Sequence, residues 1–168
     1  MQDLLKKLEA LSLKKDGISM HFRKGASKAA LAKAEKTMGI KFPADFAEYL
    51  LLHDGQDDDD DAPSWRLASL EEIVERWKEE RDDEENYPEE NKGFILKDKV
   101  LNRSRCAQWI PFLGAPNWDQ DIVYIDLAPG PKGVSGQIIG LVTECDYGLH
   151  AKSFTDFLKQ WIKNKKPY

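Results

Sequence analysis

Three histidines, two cysteines and scattered carboxylates are the side chains of this 168-residue sequence that could do chemistry. A hydrolytic triad needs a nucleophile, a base and an orienting carboxylate. No serine or cysteine here sits in a G-x-S-x-G elbow or a comparable setting. His53 closes a helical pattern, where an imidazole serves as a C-terminal cap beside the helix dipole. Cys106 and Cys145 read as ordinary reduced thiols without metal-ligand spacing. Asp119, Asp121 and Asp126 would form a carboxylate metal site only if they converged. The two-residue period of a strand puts Asp121 and Asp126 on opposite faces, so turn and edge roles account for them. Gly130 to Gly136 is Gly-rich but lies between two strand-like runs, where no helix N-terminus is available for a phosphate. It reads as a hairpin loop. No catalytic, metal-binding or cofactor-binding residue is expected, and the chain reads as a non-enzyme.

The charge is informative instead. A formal net charge of −5 hides a segment from Asp54 to Asn91 with 17 acids and 4 bases, a local net of −13. The remainder carries 13 acids and 21 bases, a net of +8. Such an acidic segment repels phosphate and argues against nucleic-acid binding, whereas it attracts a basic protein and speeds the encounter at low salt. Within it the run from Asp57 to Asp61 lacks the alternating ligands, the Gly at position six and the Glu at position twelve of a calcium loop. Trp65 and Trp118 flank loops, as lids over a core or as anchors in an interface, where Trp is enriched.

These residues need elements to hold them. Leu4, Leu5, Leu8 and Leu11 predict an amphipathic helix over Gln2 to Leu13, broken by Asp16-Gly17. Ile18, Met20 and Phe22 alternate as a short strand or extended arm. Ser27 caps a helix that runs to about Met38 and stops at Gly39. The next helix starts at Phe42-Pro43, since proline suits a first turn, and ends at Asp54-Gly55. Trp65 to Leu67 predicts a brief strand, and Ser69 with Glu72 a capping box that starts another helix. From Glu79 to Asn91 the apolar pattern dissolves, which predicts a mobile loop or a frayed helix end. Trp109 to Leu113, Asp121 to Leu127 and Gly136 to Thr143 are β-rich runs parted by turns at 115–117 and 129–131. Ser153 caps a last helix with Phe154, Phe157, Leu158 and Trp161 on one stripe, and Trp77 and Trp161 are expected in the core. Helices, then an antiparallel meander, then a helix is the order of an α+β fold.

A chain of this length and aromatic content can build one core without disulfides. No apolar run reaches the roughly 20 residues that span a bilayer, and the N-terminus lacks a signal-peptide pattern. The expectation is a single soluble, cytoplasmic domain over residues 1–168, with no membrane partner.

Several stretches are familiar in combination. Residues 34–46, Ala34-Glu35-Lys36-Thr37-Met38-Gly39-Ile40-Lys41-Phe42-Pro43-Ala44-Asp45-Phe46, lead to Tyr49-Leu50-Leu51-Leu52-His53-Asp54-Gly55. This resembles the hallmark of the SUKH superfamily: a helix ending in Glu and Gly, a Leu/Phe-Pro start to the next, and a closing His-Asn-Gly-like turn. Phe42 stands at the usual Leu and Asp54 at the usual Asn. Trp109-Ile110-Pro111-Phe112-Leu113-Gly114 resembles the family's Trp-x-Pro-x-Gly strand with one extra residue. Further pieces follow in order, so that the resemblance covers about Ser27 to Lys163, with residues 54–91 as an acidic variable segment.

The resemblance implies a curved antiparallel sheet with helices packed around it, and binding without catalysis. The superfamily includes fungal cell-wall-synthesis regulators and bacterial immunity proteins that neutralise a cognate toxin, frequently a nuclease. Together with the charge of the acidic segment, this makes a basic toxin domain the expected partner, with Asp57, Asp58, Asp59, Asp60 and Asp61 steering the encounter. Trp65 and Trp118, the latter beside Asp119, would anchor it. A regulatory adaptor that docks on a cellular protein is the alternative.

Overall fold

The computed structural model describes residues 1–57, 65–86, 98–101, 103, 105–114, 122–141 and 147–167. The predicted turn at 115–117, Asp121 and Cys145 lie outside the described residues. Among the described residues the chain forms helices α1 (Gln2–Asp16), α2 (Lys28–Met38) and α3 (Ala44–Leu52), then strand β1 (Arg66–Leu67) and helix α4 (Leu70–Asn86). Strands β2 (Trp109–Gly114), β3 (Val123–Asp126), β4 (Gln137–Leu141) and β5 (Tyr147–Ala151) follow, and helix α5 (Phe154–Asn164) ends the fold. The five strands pair in sequence order and every pairing is antiparallel, so the sheet is an open meander in an α+β domain.

Local chemistry explains most boundaries. Ser27 accepts a hydrogen bond from the Ala30 N–H at the start of α2, and Gly39 ends that helix at φ 70°. The Ser69–Glu72 capping box is closed in both directions: Ser69 N–H donates to the Glu72 carboxylate at 2.7 Å, and Glu72 N–H to the Ser69 hydroxyl at 3.3 Å. Pro111 lies inside β2, between two neighbours, where it can donate nothing. The pairing with β3 shifts register between Pro111 and Leu113, so a bulge absorbs the missing donor.

Every residue of β2 and β3 is buried, on both faces. Ile110, Phe112, Val123, Ile125 and Ile138 meet the helices in the main core. Trp109, Tyr124 and Ile139 point the other way, into a smaller cluster closed by Val100 and Ile122. Sheets of this kind often leave one face to water; here the segment carrying Val100, Leu101 and Cys106 covers the second face. Trp77 and Trp161 are both buried in the main core. Asp126 is fully buried at the end of β3, where it accepts from the Trp109 indole (3.0 Å), the Gln137 amide (2.8 Å) and the Ala128 N–H (2.9 Å). Burial pushes its carboxyl up, and these three donors oppose that shift. Asp126 therefore has a structural role inside the sheet rather than at its edge.

Of the mobile loop or frayed helix end expected over Glu79 to Asn91, the chain takes the helical alternative as far as Asn86, and residues 87–91 lie outside the described residues. The Arg76 guanidinium binds Glu80 at 2.9 Å and Glu79 at 3.4 Å, and Arg81 lies 5.3 Å from the Trp77 ring centroid. Glu80 is itself buried and accepts the Tyr124 hydroxyl at 2.8 Å. Burial pushes its carboxyl up against the pull of Arg105, Arg76 and Tyr124. A charged stretch stays helical because a tertiary partner receives it. Strand β5 was not foreseen. Gly148 faces Gly140 across the β4–β5 ladder, and glycine gives no strand signal. A Cβ on Gly140 would lie 2.3 Å from the His150 imidazole, so the pair of glycines leaves room for that ring.

Candidate partner-binding surface

The acidic segment starts from a rigid root. After α1, the arm at 18–23 is fixed by Glu9, whose carboxylate accepts the Ser19 hydroxyl and the Met20 N–H, each at 2.8 Å. Residues 54–57 then lie between this arm and β1. The fully buried Gln56 donates from its amide to the Met20 carbonyl and accepts the Leu67 N–H at 2.7 Å. Its backbone N–H reaches the Leu67 carbonyl, the Asp57 N–H the His21 carbonyl, and the Arg23 N–H the Gly55 carbonyl. Asp54 accepts the Leu70 N–H at 2.7 Å, so the same turn also caps α4.

His53 takes the expected C-cap position, with its backbone N–H on the Tyr49 carbonyl. Its ring serves the arm instead. Nδ1 stands 3.0 Å from the Arg23 carbonyl, which can only accept, and the imidazole stacks on Phe22 at 4.8 Å.

Charge at the root is paired. Arg23 Nε binds Asp57 at 2.9 Å, and the buried Arg66 binds Glu72 at 2.6 Å. Burial opposes ionisation of Glu72. Hydrogen bonds from the Ser69 backbone and side chain and from Arg66 outweigh it, and hold this carboxyl below its ordinary 4.5. A depressed carboxylate stabilises the fold above its unfolded pKa and loses that contribution as pH falls through the folded value. Glu72→Gln is expected to cost about 2 kcal/mol near neutrality, the worth of charge-assisted hydrogen bonds. In urea titrations across pH the gap to wild type should narrow progressively as pH falls below 4.5; a gap that stays constant with pH would refute the ionic account.

Of the residues predicted to bind a partner, two fall in the described part. Asp57 is about half exposed, with its charge answered by Arg23 within the chain. Trp65 is half-buried, packs against the main core, and forms one wall of an open cavity. They mark the two ends of the acidic run. Asp58, Asp59, Asp60, Asp61, Trp118 and Asp119 lie outside the described residues. Sequence reasoning missed Arg23 and Arg66 as the cations that pin this root; two bases beside an acidic run were the available signal. Among the described residues no group of three or more His, Cys, Asp or Glu is placed to hold a metal ion, and no helix is long and apolar enough to cross a membrane.

An open five-strand meander packed by helices, with a His-Asp-Gly turn that braces an acidic segment, defines a SUKH-type α+β domain. Residues 25–160 match the SMI1 / KNR4 family (SUKH-1), and the chain belongs to that family. It is also similar to the cell wall biosynthesis/cell cycle regulator smi1 of Schizosaccharomyces pombe (strain 972 / ATCC 24843), at 30% identity over 152 residues. The matched part is 80% of this chain but 30% of that relative, so the chain spans under a third of the regulator's length.

Proposed function

We propose that the chain is a non-catalytic protein-binding domain of the immunity type, which neutralises a cognate toxin by covering its active site. The partner is a basic, nuclease-type toxin domain, met in the cytoplasm without a cofactor. The observation that carries this reading is the concentration of charge: −13 over Asp54 to Asn91 against +8 elsewhere. A nuclease must present a basic groove to phosphates, and an acidic segment held at a rigid root is a competing polyanion for that groove. Asp58 to Asp61 carry the steering, because Arg23 already answers Asp57. Trp65, Trp118 and Asp119 complete the contact.

Changing Asp57 to Asp61 to asparagine should slow association with the toxin domain by on the order of tenfold at low salt, and by less than about twofold near 0.5 M. Stopped-flow association at the two ionic strengths reads this directly, and an unchanged on-rate at low salt would remove the steering role. The similarity to smi1 favours a second reading, a regulatory adaptor that docks on a cellular protein. A tagged pull-down eluted by a salt gradient separates the two. A basic toxin fragment released as salt rises supports neutralisation, and a housekeeping or signalling protein supports the adaptor.

A further inference from the structure

The far end of the acidic run opens onto a surface of different chemistry. Where the C-terminal ends of α1 and α5 come together, Leu8, Leu11, Ile18, Met20, Trp65 and Trp161 line an open cavity of about 590 Å³. Its remaining wall carries Lys15, Asp16, Lys165 and Lys166. This is the size and character of a site that takes a ligand's bulky apolar group, with a few charges at the mouth to orient it.

The charges indicate what fits. Lys15 is matched by Asp16 at 3.4 Å. Lys14 and Lys15 in the last turn of α1, and Lys163 in the last turn of α5, already oppose the negative ends of the helix dipoles. Lys165 and Lys166 lie past the last helical residue, where a left-handed turn at Lys165 (φ 59°) closes α5. Both are exposed, and among the described residues neither has an ion-pair partner. The cavity thus has an apolar floor and, at its mouth, two lysines without an ion-pair partner among the described residues.

We propose that this cavity docks an acidic peptide segment of a protein partner, with a bulky apolar side chain seated beside Trp65 and Trp161 and carboxylates on Lys165 and Lys166. A basic peptide would meet repulsion at the same two lysines. Trp65 is shared with the proposed toxin contact, but the site needs neither the aspartate run nor a basic partner.

The test uses the full chain and a fluorescein-labelled peptide, Glu-Glu-Trp-Leu-Glu-Glu, followed by anisotropy. Saturable binding is expected with Kd of about 10–100 µM, a modest value for a short flexible ligand. The Lys165→Glu/Lys166→Glu variant should weaken it at least about tenfold, and so should lysines in place of the peptide's glutamates. Because both positions are exposed, the variant should keep the fold, with a melting temperature lower by no more than about 5 °C for the two acids at the C-terminal end of α5. Leu11→Phe is a second variant that fills the cavity without altering the two lysines or the net charge, and it too should weaken binding at least about tenfold. In nitrogen-15 spectra of the five tryptophan indoles, those of Trp65 and Trp161 should move on titration. Absence of saturation at about 1 mM, equal binding of the lysine-flanked peptide, or movement confined to other indoles would overturn the proposal.

Discussion

Replacing Gly55 by alanine is expected to destabilise the domain by about 3–5 kcal/mol, the combined cost of backbone strain and overpacking. Gly55 has φ 76°, and an added Cβ would lie 2.5 Å from the Ser69 backbone nitrogen and 2.7 Å from the Ala68 carbonyl carbon. Neither neighbour can yield. Ser69 starts α4, and Ala68 N–H is held by the Phe112 carbonyl of β2. Relief would require moving the 54–57 turn away from α4, which would also break the Asp54 cap on Leu70. Gly39 supplies the control. It has nearly the same φ, 70°, but an added Cβ there meets nothing within 4 Å. Gly39→Ala should therefore cost only the left-handed penalty, about 1–2 kcal/mol. Urea denaturation of both variants isolates the clash, and equal losses would show that the close approach at Gly55 carries no energy.

Phe46→Ala carries the other large effect, an expected loss of about 3–5 kcal/mol. Phe46 is completely buried on α3, and its ring meets Phe42, Tyr49, Phe112 and Phe154 at centroid distances of 5.0 to 6.0 Å. It therefore joins α3 to β2 and to α5. Phe112 in turn packs edge-on against Phe157, and Phe157 against Trp161, so a void at Phe46 opens next to the whole aromatic row. For a chain of this size the loss corresponds to a melting temperature lower by about 10 °C. Phe46→Leu fills most of the space and should lose under about 2 kcal/mol. A melting temperature within about 2 °C of wild type for Phe46→Ala would mean that the row does not hold the three elements together.

Both predictions concern the turn and the helix that brace the acidic segment. Stability and binding are therefore separable in this protein: the aspartates of the run and the exposed Lys165 and Lys166 can be changed without touching Gly55 or Phe46. Loss of partner binding in an aspartate or lysine variant that melts normally would be a surface effect.

How much of this was readable beforehand follows from how local each signal is. The Ser27, Ser69 and Ser153 caps, the Gly39 stop and the apolar stripe of α5 depend on residues within one or two helical turns. They, and the antiparallel meander through β2, β3 and β4, were legible in the sequence, as was family membership from motifs in the right order. For the second half of α4 the sequence left loop and frayed helix end open, because its helicity depends on Glu80 reaching Tyr124, 44 residues away. Strand β5 was not legible, because two glycines that weaken strand propensity were placed opposite each other to admit His150. Asp126 had a face but no partners until Trp109 and Gln137 were brought to it by register. The cations that root the acidic segment, Arg23 and Arg66, and the cavity between Leu8, Trp65 and Trp161 are products of long-range packing. Sequence alone determined the sign and place of the charge, the helix limits and the order of the strands, because these depend on neighbours along the chain. Only the tertiary structure decided which charges are answered internally and which stay available to a partner, because that depends on distances between segments that no local pattern encodes.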